Sequence, residues 1–148
     1  MTGSQNTEEI TLPAVQESIP QAAEFIRSRL VSFGCPLKMQ LQFAIVADEI
    51  CSNICKFAYP DESGTMTVRL TLGSAPGREQ GHPSVFLSFI DQGIPYDPLA
   101  APAPDITLSA KERKPGGLGV HITKHLMDDA VYEHKDGRNI LRLRKDLA

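Results

Sequence analysis

The sequence predicts an α+β fold, a two-layer α/β sandwich with a mixed, mainly antiparallel sheet and helices on one face. Three features predict it. Two consecutive segments in the first half carry apolar residues at helical spacing. Four later segments read as strands, and the last two are joined by Asp136-Gly137, a tight hairpin signal. Because hairpins dominate the connections, neighbouring strands run mostly antiparallel and leave one face for the helices.

Residues 10–15 (ITLPAV) read as a first strand, with Pro13 placing it at an edge or ending it. Ser18 then offers an N-cap, and Ala22, Phe25, Ile26, Leu30 and Phe33 recur at helical spacing until Gly34 and Pro36 stop the helix. A longer helix runs from about residue 37 to 58, closed by Pro60. Residues 65–72 alternate through Met66, Val68, Leu70 and Leu72, a strand with one buried face. A Gly- and Pro-rich loop over 74–83 leads to a second apolar strand at 84–91, and the two form a hairpin. Residues 92–115 hold five prolines (Pro95, Pro98, Pro102, Pro104 and Pro115), a composition suited to a functional lid or a disordered segment. Gly116-Gly117-Leu118-Gly119 opens a third helix, followed by strands at 130–135 and 139–145. The predicted order is β-α-α-β-β-lid-α-β-β.

At 148 residues the chain fits one domain, assigned to residues 9–148 with a lid at about 97–115. The polar stretch at the N-terminus has no signal-peptide core and reads as a flexible tail over residues 1–8, with the cytoplasm as the expected compartment. A net charge of −3 gives no sign of a nucleic-acid surface, and no run approaches the roughly 20 apolar residues of a membrane span. Cys35, Cys51 and Cys55 read as free thiols, mostly buried, and His82, His121, His125 and His134 are too scattered to complete a metal site.

Three stretches carry residues suited to chemistry. On the long helix, Glu49 and Asn53 are one turn apart and share a face, flanking the apolar stripe of Phe43, Val46, Ala47, Ile50, Ile54 and Phe57. An amide oxygen beside a carboxylate suits a hard cation such as Mg²⁺, and the carboxylate could orient or deprotonate a hydroxyl. The same pair is also compatible with a solvated helix edge. Asp91 ends an apolar strand, where a buried carboxylate needs a donor. An exocyclic amino group of adenine is one donor, with Gly93 allowing close approach, and local backbone amides are the alternative. Gly117, Leu118 and Gly119 expose amides at a helix start, a natural phosphate site, although glycines also simply end loops.

The order of these stretches resembles the Bergerat-type ATP-binding fold shared by DNA gyrase, ninety-kilodalton heat-shock chaperones, sensor histidine kinases and mismatch-repair ATPases. Within it the chain is most similar to the small anti-sigma-factor serine/threonine kinases of bacteria. The resemblance rests on FAIVADEICSNICKFAYP (43–60), DQGIPYDP (91–98) and PGGLGVHITKHLMDDAVYEHKDGRNILRLRK (115–145), and spans nearly the whole chain. It implies Glu49 as catalytic base, Asn53 as Mg²⁺ ligand, Asp91 bonding adenine above Gly93, and the amides of Gly117, Leu118 and Gly119 on the phosphates. Arg113 or Lys114 of the lid would meet the γ-phosphate. Phe57 stands where relatives often carry His, and Asn139 where many have Thr. His121 and His125 read as surface or half-buried helix residues rather than phospho-acceptors, and a sensor histidine kinase would also need a dimerising helical segment bearing its acceptor.

The resemblance implies a kinase that uses ATP and Mg²⁺, sequesters a sigma factor and phosphorylates a STAS-type antagonist protein, with a homodimer as a further expectation. A nucleotide-dependent binding module without transfer activity is the alternative, and a stand-alone ATPase a third.

Overall fold

The computed structural model describes residues 6–73, 83–98 and 123–147. Its elements are β1 (Asn6–Pro13), a 3₁₀ turn (Gln16–Ser18), α1 (Ile19–Ser32), α2 (Leu37–Phe57), β2 (Thr65–Gly73), β3 (Ser84–Asp91), a helical turn at 123–126, β4 (Asp129–Lys135) and β5 (Arg138–Asp146). The five strands form one sheet in the order β1-β2-β3-β5-β4. Every described pairing is antiparallel, so the mainly antiparallel expectation holds and no described pair supplies a parallel component.

The alternation in β2 fixes which face the helices cover. Met66, Val68 and Leu70 are fully buried, against Phe43, Val46 and Ala47 of α2 and Ala22, Ile26 and Leu30 of α1 in one core cluster. The opposite face is polar across β1 and β2. There Thr7 and Thr71 share a hydrogen bond of 3.0 Å, Thr11 and Thr67 one of 2.9 Å, and Arg69 Nε lies 2.8 Å from Glu9 Oε1.

α1 ends as its sequence predicts. Gly34 takes φ +80°, its N–H donates to Val31 O, and the Cys35 N–H donates to Leu30 O at 2.9 Å, a Schellman closure that satisfies carbonyls of the last turn. The start of α1 differs from expectation. Ser18 makes no side-chain cap bond, because the 3₁₀ turn feeds directly into the helix and leaves Ser18 in a helical conformation, buried.

The first strand also differs. It begins at Asn6 rather than Ile10 and stops at Pro13, so residues 6–8, expected in a tail, pair with residues 70–72 of β2. Thr7 lies on the open face and Glu8 on the helix side, where Arg29 of α1 pairs with it at 2.6 Å, so neither leaves an apolar pattern. The remaining strands lie within a residue or so of their predicted bounds. Asp136 (φ 55°) and Gly137 (φ 76°) make the two-residue turn that locks β4 to β5, pairing Lys135 with Arg138 and His134 with Asn139.

Candidate functional site

One end of the sheet carries the polar residues that the core would otherwise exclude. β3 runs apolar along its inner face through Val85, Leu87 and Phe89, and the same parity then delivers Asp91 to that face at the strand end. β5 lies beside it and places Asn139 directly opposite Asp91. Across from them α2 presents Ile50, Asn53 and Ile54, and the chain after β3 folds back so that Tyr96 and Pro98 close the space. Asn53, Asp91 and Asn139 are 3%, 7% and 5% exposed, three buried polar side chains around one pocket. Such groups are stable only when their hydrogen-bonding capacity is met.

Asp91 and Asn139 meet that condition through each other. Asn139 Nδ2 donates to Asp91 Oδ1 at 2.8 Å and to Ile94 O at 2.7 Å. Asn139 Oδ1 accepts the Tyr132 hydroxyl and, at 3.2 Å, the Tyr96 N–H. The Gly93 N–H adds a second bond to Asp91 Oδ1 at 2.9 Å. Burial pushes the Asp91 carboxyl above its ordinary value, against the opposing pull of Asn139, the Gly93 amide and His134.

Asn53 does not meet it. Its Nδ2 is buried without a hydrogen-bond partner. Asn53 lines the same pocket as Asp91, and a buried amide left unpartnered by the protein is the arrangement expected beside a ligand. Glu49 lies one turn earlier on α2, half-buried and outside the pocket lining. Burial raises its pKa, while Lys56 and the nearby Asn53 amide favour its charged form, the amide without completing a geometrically good bond. The Glu49 charge also reaches Tyr96, whose phenol is raised first by burial and then by that charge.

The pocket encloses about 20 Å³, room for about one water and not for a purine. A base therefore enters only with a change in the lining, to which the chain after β3 contributes Tyr96 and Pro98. Tyr96 is held by its bonded N–H, which also donates to the Tyr132 hydroxyl at 3.2 Å, and by a tilted ring contact with Phe57 at 5.5 Å between centroids.

The structure thus brings Asn53 and Asp91 together and sets Glu49 beside them. Gly93 is placed otherwise: it packs on the end of α2 at Ala58 and does not line this pocket. Gly117, Leu118, Gly119, Arg113 and Lys114, and the lid from residue 99 onward, lie outside the described residues. Patterning missed the part played by Tyr96 and Tyr132, and the bonds made by Asn139. A signal existed for the last two. The Asp136-Gly137 turn sets the β4–β5 register, which puts Tyr132 and Asn139 on one face, diagonal to each other. Cys35 and Cys51 are buried free thiols, the latter pushed up to about 12 mainly by burial, and Cys55 is half-buried. No helix among the described residues is long and apolar enough to cross a membrane.

Comparison with known proteins bears on this geometry. The family described as "Histidine kinase-like ATPase domain" matches residues 12–145. The serine/threonine-protein kinase BtrW of Bordetella bronchiseptica is 30% identical over 106 residues, covering 72% of this chain and 70% of that protein. The serine-protein kinase RsbW of Bacillus cereus is 26% identical over 141 residues, covering 86% of this chain and 81% of that protein. The matched span contains α2, the Asp91 turn and the β4–β5 hairpin.

Proposed function

The chain belongs to the histidine kinase-like ATPase domain family, and on that premise we propose that it is an ATP-binding serine/threonine protein kinase of the anti-sigma-factor type. It sequesters a sigma factor and transfers the γ-phosphoryl group of ATP to a Ser or Thr hydroxyl of a STAS-type antagonist protein. The single observation that carries the nucleotide reading is the convergence of Asn53, with its unpartnered buried amide, and Asp91 on one pocket. The kinase names of the two relatives support the transfer reading.

In this reading Asp91 accepts the 6-amino group of adenine. The amides of Gly117, Leu118 and Gly119 hold the phosphates at a helix start, and Arg113 or Lys114 meets the γ-phosphate. Asn53 would hold Mg²⁺ through its side-chain oxygen, a hard donor of the kind the ion takes, with phosphate oxygens and water completing the coordination. When bound, the ion neutralises phosphate charge. Glu49 orients the attacking hydroxyl and takes its proton as the new O–P bond forms and the bond from the γ-phosphorus to the bridging oxygen breaks, releasing ADP. A carboxyl raised by burial is a stronger base than a solvated one.

The test is to incubate the protein and Mg-ATP with a candidate antagonist and assay for phosphoserine or phosphothreonine. Transfer that requires Glu49 supports the kinase. With antagonist binding confirmed, an absence of transfer removes the kinase claim. Unchanged control of the sigma factor by Glu49→Ala would then favour the non-catalytic binding module.

A further inference from the structure

Asn139 is saturated by protein alone. Its two amide hydrogens go to Asp91 Oδ1 at 2.8 Å and Ile94 O at 2.7 Å. Its oxygen accepts from the Tyr132 hydroxyl and the Tyr96 N–H. An amide has two donors and two acceptor positions, so none is left for a ligand or a bridging water. The partners also dictate its orientation: a carboxylate and a carbonyl can only accept, and a backbone N–H can only donate, so the flipped amide would oppose like groups. Asn139 therefore acts on a ligand only through what it holds.

What it holds is Asp91 with one oxygen occupied. Oδ1 accepts both Asn139 Nδ2 and the Gly93 N–H, while no hydrogen bond among the described residues reaches Oδ2. A carboxylate pinned in this way offers the pocket a single acceptor in a fixed direction. That suits a 6-amino purine, which presents N–H at that position, and opposes a 6-oxo purine, which presents an acceptor. A carboxylate free to turn could instead meet the N1–H of the 6-oxo ring, and a protonated one could donate to its oxygen. We propose that Asn139 is a positioning residue for base specificity: by pinning Asp91 through Oδ1, it makes the pocket select 6-amino over 6-oxo purine triphosphates.

The inference rests on the reading that Asp91 takes the base. Burial raises the Asp91 carboxyl above its ordinary value, and the groups that face it from neighbouring elements act on the same carboxyl. His134 on β4 and the donors of Asn139 and Gly93 favour the charge against burial, and Tyr59 beyond the end of α2 lies close enough to feel it. A threonine at position 139 would supply one hydroxyl donor to Asp91 but could not also serve Ile94 O and the two donors at Asn139 Oδ1.

The experiment titrates ATP and inosine triphosphate, each with Mg²⁺, into the wild type and the variants Asn139→Ala, Asn139→Thr, Asn139→Val and Asp91→Asn. It reads the ratio of the two affinities. The wild type prefers ATP, and Asn139→Ala reduces that preference by about tenfold or more. Thr and Val are nearly isosteric, so this pair keeps the test intact even if the alanine variant fails to fold. Thr retains most of the preference and Val loses it. If Ala or Val weakens both nucleotides equally and leaves the ratio unchanged, Asn139 is merely structural and the proposal is overturned. A wild type that binds both nucleotides equally, or an Asp91→Asn variant with the wild-type preference, instead removes the reading of Asp91 beneath it.

Discussion

A β-carbon placed on Gly93 would lie 2.1 Å from the carbonyl oxygen of Ala58. The same carbonyl accepts the Ile94 N–H at 2.9 Å, so the turn after β3 is clamped to the C-terminal end of α2 at backbone distance. Asp91 and Asn53 sit on the two elements that this clamp joins. Because the obstructing atoms are backbone, nothing can swing aside. Gly93→Ala is expected to lower stability by about 1–3 kcal/mol through forced separation of the turn from the helix. Urea denaturation measures this, and a change under about 0.5 kcal/mol would mean that the two backbones part easily.

Asp91→Asn separates binding from stability. Burial leads the causes that raise the folded-state pKa of Asp91 above its ordinary value of 3.8. A carboxyl raised in the folded state holds its proton more tightly there than in the unfolded chain. Its contribution therefore declines as pH rises from about 3.8 through the folded-state value, and stays reduced above it. Asn at position 91 keeps an acceptor for Asn139 and Gly93 and carries no charge. The variant is expected to match or exceed wild-type stability at neutral pH while losing ATP affinity. Thermal melts from pH 4 to 7, paired with calorimetric titration, give both readings. A variant clearly less stable than wild type at pH 7 contradicts the burial argument.

Glu49→Gln addresses the chemical step. The substitution preserves shape and removes the base, so phosphoryl transfer is expected to fall by about 100-fold or more with nucleotide affinity little changed. In the wild type, burial raises this carboxyl above its ordinary 4.5, so the acid limb of the rate profile should have its midpoint above that pH. A variant that transfers at the wild-type rate excludes Glu49 as the base.

Tyr96→Ala tests the closed pocket. The side chain lines a space of about 20 Å³ and leans on Phe57, so its ring borders the room a purine needs. Removing the ring is expected to raise the nucleotide association rate on the order of 3- to 10-fold by increasing the open population. Stopped-flow fluorescence with a labelled nucleotide reports it. A slower association would mean that the ring contributes to holding the base rather than obstructing it.

Much of the fold was legible because the covered face of the sheet leaves a strong record. Met66, Val68 and Leu70 alternate, Gly34 ends α1, and Asp136-Gly137 ties β4 to β5. The start of β1 was not legible, since residues 6–9 earn their strand pairing from β2 rather than from apolar side chains of their own. Of the site, Glu49, Asn53 and Asp91 could be singled out as residue types in suggestive places. The reason Gly93 must be glycine could not, because the atom it would strike belongs to a helix more than thirty residues away in sequence.

Sequence alone determined the period of each element, its breakers and the presence of an acidic–amide pair one turn apart on a helix. These are local properties, set by backbone sterics and by side-chain spacing. Tertiary structure alone decided that Asn139 faces Asp91, that Asn53 is left with an unmet buried donor, and that Tyr96 lines the pocket they share. Those outcomes depend on the pairing of β3 with β5 across a connection of nearly fifty residues. No local pattern encodes that register; the burial of both inner faces in one core does.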